Sequence, residues 1–77
     1  MDTLVRECVA ILKDAASKTS DNYVMGVCLP VHSSEEREIV GSILKKMGIV
    51  DQWEPFGKNM VRCKVNIELA EDYLDRG

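Results

Sequence analysis

Apolar residues recur at helical spacing in two stretches of the chain. In the first stretch the apolar positions are Leu4, Val5, Cys8, Val9, Leu12, Ala15 and Ala16. Asp2 or Thr3 can cap this helix, which is predicted over about residues 3–18. In the second stretch the apolar positions are Ile39, Val40, Ile43, Leu44 and Met47. The pattern predicts two amphipathic helices, each with an apolar stripe that another element must cover.

Signals for the start and the end of a helix bound the second stretch. Ser33 and Glu36 have capping-box spacing, in which the serine oxygen accepts from the third helical amide and the glutamate reaches back to the serine N–H. Gly48 can take the left-handed conformation that ends a helix, and Ile49 is placed for the apolar contact of a Schellman motif. The second helix is therefore predicted from Ser33 to Met47, with a strand almost directly after it.

Three strands are predicted from the remaining apolar runs. Residues 23–29 are apolar without alternation, which is typical of a strand covered on both faces and predicts the central strand. Pro30 has no amide to donate and ends it. Two further strands, over residues 49–54 and 59–67, are predicted to form a hairpin around Pro55, Phe56, Gly57 and Lys58. In the last strand Val61, Cys63, Val65 and Ile67 alternate with Met60, Arg62, Lys64 and Asn66, so that one side is predicted as core and the other as solvent-facing.

A third helix is predicted to follow Asn66, which can cap it. Its inward residues are predicted to be Leu69, Ala70, Tyr73 and Leu74. The order α-β-α-β-β-α predicts one α+β domain over residues 1–77, with a three-stranded, mainly antiparallel sheet and helices packed on one face. The alternative is a winged-helix-like fold, which requires two helices between the first strand and the hairpin.

Composition indicates an ordinary globular domain. The 77 residues are 45% hydrophobic and 30% charged, which is too apolar for a disordered chain. No apolar run approaches the ~18 residues of a membrane span, and residues 1–16 lack the apolar core of a signal peptide. The three cysteines are far apart and odd in number, so they do not form a disulfide framework. We expect a cytoplasmic protein with no membrane partner.

The charge distribution separates the hairpin from the C-terminal segment. The net charge of −3 argues against a nucleic-acid binder. Residues 57–66 nevertheless contain Lys58, Arg62 and Lys64 and no acid, whereas Glu68, Glu71, Asp72 and Asp75 follow in residues 67–77. Such a separation can steer a partner, or it can attract two neighbouring elements to each other. The acidic helix could also imitate the spacing of phosphates and occupy a basic groove of another protein.

One family resemblance rests on the element order and on two local features. These are Leu29–Pro30 ahead of a serine-capped helix, and the end of that helix in Ile43-Leu44-Lys45 and Gly48-Ile49. In these features residues 2–66 resemble the amino-terminal domain of the eighth small-subunit ribosomal protein. The resemblance implies RNA binding. Glu35, Glu36 and Glu38 at the start of the helix oppose that expectation here, because they would repel phosphates.

Candidate catalytic and metal-binding residues are sparse. His32 is the single histidine and has no evident partner, and neither a phosphate loop nor a nucleophile elbow is present, so no enzyme activity is expected. Cys28 and His32 could join Cys8 and Cys63 in a zinc site, but such sites usually contain a close cysteine pair. No metal or cofactor is therefore predicted. His32 and Ser33 stand where a helix N-terminus could bind an anion, but the acids that follow favour capping alone.

The hairpin contains the candidate contact residues. Val50 and Trp53 are three positions apart, so a regular strand would place their side chains on opposite faces. Either a bulge turns one of the two side chains to the other face, or Trp53 lies outside the core near Phe56. An exposed tryptophan near a phenylalanine is typical of a binding hot spot, whereas a buried one would pack at the core edge under the first or third helix. The stripe from Met60 to Asn66 is either a solvated face or a surface for an acidic protein or a phosphate chain.

These features together predict a small non-enzymatic protein-binding module that acts as a regulator, adaptor or inhibitor. The predicted contact residues are Trp53, Phe56, Lys58, Met60, Arg62 and Lys64. The alternative is a nucleic-acid-binding protein that uses the same basic hairpin. A homodimer formed through an exposed strand edge is a third expectation, because an unprotected outer strand invites pairing.

Overall fold

The computed structural model of the chain describes residues 2–76 and has the predicted order of elements. These are α1 (Asp2–Ser17), β1 (Tyr23–Cys28), α2 (Ser34–Lys46), β2 (Val50–Phe56), β3 (Met60–Val65) and α3 (Ile67–Asp75). The strands form one antiparallel sheet in the order β1-β3-β2. The α+β prediction is therefore confirmed. A single helix, α2, connects β1 to the hairpin, where the winged-helix alternative requires two.

The central strand is β3, and the prediction that β1 is central was wrong. β1 pairs with β3 alone and forms one edge of the sheet. Its apolar run is not covered on both faces, because Val24 is buried while Met25 is 69% exposed. A short apolar run resembles a fully covered strand in sequence, but it does not report how many strands lie beside it.

Local hydrogen bonds set the ends of α2. The Ser33 hydroxyl accepts from the Glu36 amide at 3.1 Å, as the capping box predicts. The Glu36 carboxylate, however, accepts from the His32 amide at 2.7 Å rather than from the predicted Ser33 amide. At the other end Gly48 has φ of 75°, and the amides of Gly48 and Ile49 donate to the carbonyls of Lys45 and Leu44 at 3.1 and 3.0 Å. These two bonds are the predicted Schellman motif.

The buried face of α2 is rotated from the predicted stripe. Its buried residues are Arg37, Val40, Gly41 and Leu44. Ile39 and Met47, both predicted to be covered, are exposed. On this buried face the side chain of Trp53, from β2, occupies the space directly against Gly41.

The third helix begins at its predicted cap and packs on α1. The Asn66 side chain accepts from the Leu69 amide at 3.1 Å. Arg6 of α1 donates to the Leu74 carbonyl and lies 5.7 Å from the centroid of the Tyr73 ring. Leu69, which was predicted to face inward, is exposed instead.

The core lies between one face of the sheet and the helices. Its buried apolar residues are Val5, Cys8, Val9, Leu12, Ala16, Val24, Leu29, Val40, Leu44, Ile49, Val50, Val61, Cys63, Val65 and Ala70. In the part of the chain that the structure describes, no helix has the length and apolar character needed to cross a membrane. All the helices pack on the side that contains this core, which leaves the opposite face of the sheet open.

Candidate protein-binding surface

The open side of the sheet can be identified from β3 and the register of its neighbours. Val61, Cys63 and Val65 are buried, whereas Arg62 and Lys64 are exposed on the other side. Directly opposed residues of antiparallel strands place their side chains on the same face. We call this surface the outer face. It contains the paired residues Tyr23, Cys28, Asp51, Glu54, Phe56, Met60, Arg62 and Lys64, and also Met25, which is exposed at the β1 bulge opposite Arg62.

Phe56 lies at the centre of the outer face. A side-chain carbon built on Gly26 of β1 would lie 3.0 Å from Cζ of Phe56 and 3.7 Å from Cε of Met60. The Phe56 ring therefore extends from β2 across β3 to β1, and the missing side chain of Gly26 provides the space. The guanidinium carbon of Arg62 lies 5.0 Å from the centroid of the same ring. The centre is thus apolar and has a cation against an aromatic ring.

Charged residues of β2 and β3 lie beside this centre. In the β2–β3 register Glu54 is opposite Arg62 and Asp51 is opposite Lys64. Within residues 2–76, none of these four takes part in an ion pair shorter than 4.0 Å. Among the ion pairs of residues 2–76, the acidic C-terminal helix takes part in one, between Glu71 and Lys13 of α1 at 3.9 Å, and none joins it to the hairpin. The charges of the outer face are therefore available to a partner.

Trp53 lies apart from the other predicted contact residues. The register of β2 shifts between Asp51 and Glu54, and Gln52 has a positive φ of 54°. This bulge places Trp53 on the inner side of the sheet, half-buried against α2, and a side-chain carbon on Gly41 would lie 2.6 Å from its ring. Trp53 therefore packs against the second helix. Phe56, Met60, Arg62 and Lys64 share the outer face, and Lys58 lies in the exposed turn beside it.

Arg37 positions the hairpin, and the sequence reasoning missed it. Its side chain is only 6% exposed. Its Nη1 donates to the carbonyls of Phe56 and Gly57 at 3.1 Å and of Met60 at 3.2 Å, which joins α2 to the turn. The signal that could have found it is helical spacing, because Arg37 precedes Val40 and Gly41 by three and four residues and so shares their face.

The cysteines and the histidine lie in separate environments. Burial raises the pKa of Cys8 to about 11, with Glu7 and Glu36 adding to the effect, and burial raises the pKa of Cys63 to about 12. Cys28 is exposed on the outer face. His32 lies 3.2 Å from the carboxylate of Glu36 at the start of α2. Across residues 2–76, no three histidine, cysteine or acidic side chains are grouped so that they could hold a metal ion.

Comparison with protein-family models, with curated proteins and with solved structures finds no match for this chain.

Proposed function

We propose that this chain is a small non-enzymatic module that binds another protein through its outer face, and so acts as a regulator, adaptor or inhibitor. The observation that carries the proposal is an uncovered sheet face on which Phe56 and Met60 form an apolar patch, with exposed Met25 on the edge strand β1 and charged residues of β2 and β3 beside it. An apolar centre inside a polar rim is the usual anatomy of a protein interface.

The side chains of the centre suit that role individually. Methionine is flexible and polarisable and adapts to irregular partner surfaces. Aromatic residues and arginine are enriched among the residues that dominate binding energies, and here Arg62 and Phe56 are in contact. Arg37 donates hydrogen bonds to three carbonyls of the turn, so the backbone at Phe56 and Met60 is already held in place. Less conformational entropy is therefore lost there when a partner binds.

The charge order of the outer face defines the partner that fits. Cations lie on the central strand at Arg62 and Lys64, and acids lie on the edge strand at Asp51 and Glu54. A complementary protein would place an apolar side chain at Phe56, an acidic group near β3 and a basic group near β2. We place this function in the cytoplasm, a reducing compartment in which the exposed thiol of Cys28 stays free.

The test is affinity capture from an extract of the native host, followed by binding of the purified captured protein. Met25→Glu and Arg62→Glu each change an exposed outer-face side chain, and both should weaken binding at least about 10-fold. Lys18→Glu reverses a charge on the helical side, 74% exposed at its side chain, and should bind like the wild type. Circular dichroism checks that each variant is folded. A partner that binds all three variants equally would overturn the proposal, as would the failure to capture any.

The second candidate is a nucleic-acid-binding protein that uses the same face. The contact between Arg62 and the Phe56 ring, with Lys64 two residues along β3, favours it, since single strands bind where bases stack on aromatic rings beside cations. The measurement is the affinity for single-stranded oligonucleotides at two salt concentrations. Affinity that falls steeply with salt and is lost on Arg62→Gln and Lys64→Gln supports this candidate, and no binding at low salt eliminates it.

A further inference from the structure

A row of apolar side chains remains uncovered on α2. Ile39, Ile43 and Met47 are spaced four residues apart and so lie along one line of the helix. Ile39 is 49% exposed, Met47 is 38% exposed and Ile43 is half-buried. A single exposed apolar residue is normal on a protein surface, but an aligned row is typical of a contact site. We call these three residues the α2 row.

The charges beside the α2 row are acidic at the start of the helix and basic at its end. Glu35 lies in the first turn of α2 and Lys46 in the last, and both are exposed. At 3.6 residues per turn, both lie within about 40° of Ile39 around the helix axis. A second copy of the row, turned end to end, therefore presents a cation where the first presents an acid. Ile39, Ile43 and these two charges are therefore complementary to a second copy of themselves in the antiparallel orientation.

We propose that α2 packs antiparallel against α2 of a second copy of this chain, with a two-fold axis at the level of residues 40 and 41. In this arrangement Ile39 lies at the level of Ile43 of the second copy, and Glu35 lies near Lys46 of the second copy. Met47 lies at the end of the contact, at the level of Ser34 of the second copy. Such an interface uses the same patch on both chains, as two-fold symmetric dimers do. The outer face lies on the opposite side of the sheet and stays free in the dimer.

The contact is small, which sets its strength. The 13 residues of α2 span about 20 Å at 1.5 Å per residue. One helix pair of that length lies at the low end of specific interface areas. We expect a weak dimer, with a dissociation constant on the order of 10 to 100 μM.

Sedimentation equilibrium of the full chain at low ionic strength, from about 5 to 500 μM, tests the proposal. The wild type should pass from monomer to dimer over that range. Ile39→Glu should weaken dimerisation at least about 10-fold, because it places an acid in the apolar row. Glu35→Lys alone and Lys46→Glu alone should each weaken it as well. The double variant should regain dimerisation, because each exchanged charge again meets its opposite on the second copy.

A matched pair of charges provides the control. Glu38 and Lys45 are exposed on the same helix but lie about 100° and 120° around the axis from Ile39. Glu38→Lys with Lys45→Glu should leave the dissociation constant unchanged, and circular dichroism checks the fold of every variant. A wild type that stays monomeric overturns the proposal, and it is also the result expected if a helix of another protein covers the row. A dimer that survives Ile39→Glu, or a double variant that stays monomeric, overturns it too. None of these outcomes bears on binding through the outer face.

Discussion

Gly41 is the residue whose size matters most for the interior of this domain. It lies on the buried side of α2, and the Trp53 ring fills the space that a side chain would take. The contact depends on the bulge in β2, which turns Trp53 to the inner side. One absent side chain thus decides where the single tryptophan packs.

Gly41→Ala should lower the free energy of unfolding by about 1 to 3 kcal/mol. The added carbon would lie 2.6 Å from a rigid aromatic ring, and this clash outweighs the helix propensity gain of roughly 1 kcal/mol. Urea denaturation followed by tryptophan fluorescence measures the change. Ser42→Ala, at an exposed position of the same helix, should alter stability by less than about 0.5 kcal/mol. A stabilised Gly41→Ala variant would contradict the placement of Trp53.

The three thiols should react at different rates with a thiol reagent in the native state. Cys28 is exposed, whereas Cys8 and Cys63 are buried and have pKa values raised to about 11 and 12. The thiolate is the reactive form, so at pH 8 Cys28 should be labelled rapidly and the other two only after unfolding. Mass spectrometry of peptides from native and denatured samples gives the labelled positions. Native labelling of Cys63 as fast as Cys28 would be inconsistent with the core described above.

At the scale of elements, Arg37 is the link between α2 and the hairpin. Its three hydrogen bonds reach carbonyls 19, 20 and 23 residues away. They fix the turn that carries Lys58 and the two strand ends that carry Phe56 and Met60. The helix therefore orients part of the proposed contact surface without taking part in it.

Arg37→Met should lower the free energy of unfolding by about 2 to 4 kcal/mol, because it leaves three carbonyls without their charged donor. The same substitution at Arg62, which is exposed, should cost less than about 1 kcal/mol. Urea denaturation compares the two variants, and hydrogen exchange of the turn amides shows whether the hairpin loosens. Equal stability of the two variants would rule out the proposed role of Arg37.

The start of α2 should respond to acid. The His32 backbone amide that donates to Glu36 holds the pKa of that carboxyl below its ordinary value, and the imidazole of His32 adds to the effect. Because the pKa of Glu36 is lower in the folded than in the unfolded state, its ionised carboxylate stabilises the folded protein fully above the unfolded glutamate pKa of about 4.3. This stabilisation is lost as the pH falls through the pKa of the folded state. An NMR titration of the Glu36 carboxyl should give a midpoint below the unfolded glutamate value of about 4.3. A midpoint at or above that unfolded value would show that the bond to His32 is absent in solution.

At the scale of the whole molecule, the domain has two separate surfaces. The helices cover one side of the sheet and expose the α2 row, while the outer face is on the other side. Substitutions far apart and without shared partners act independently. The two proposed contacts should therefore be separable by mutation.

Ile39→Glu should weaken self-association at least about 10-fold and leave the affinity for the captured partner within about 2-fold of wild type, whereas Met25→Glu should do the reverse. Sedimentation measures the first property, and titration calorimetry with the purified partner measures the second. The double variant Ile39→Glu with Met25→Glu should lose both. Loss of both properties in either single variant, with the fold intact, would show that one surface serves both contacts.

The sequence alone determined the features that depend on neighbouring residues. Ser33, Gly48 and Asn66 bound helices by hydrogen bonds that span three to five residues, so their identities predict the boundaries. The alternation in β3 likewise predicted which side chains face the core and which form the outer face. Four of the six predicted contact residues therefore lie together on one surface, with Lys58 beside them.

Only the tertiary structure decided the features that depend on distant contacts. The place of β3 at the centre of the sheet depends on β1, more than thirty positions earlier in the chain. Trp53 packs against Gly41, a residue of another element, on the buried face of α2. The burial of Arg37 depends on carbonyls of the hairpin. Periodicity reports that a face is apolar, but which element covers it is settled by packing between segments that the sequence does not place side by side.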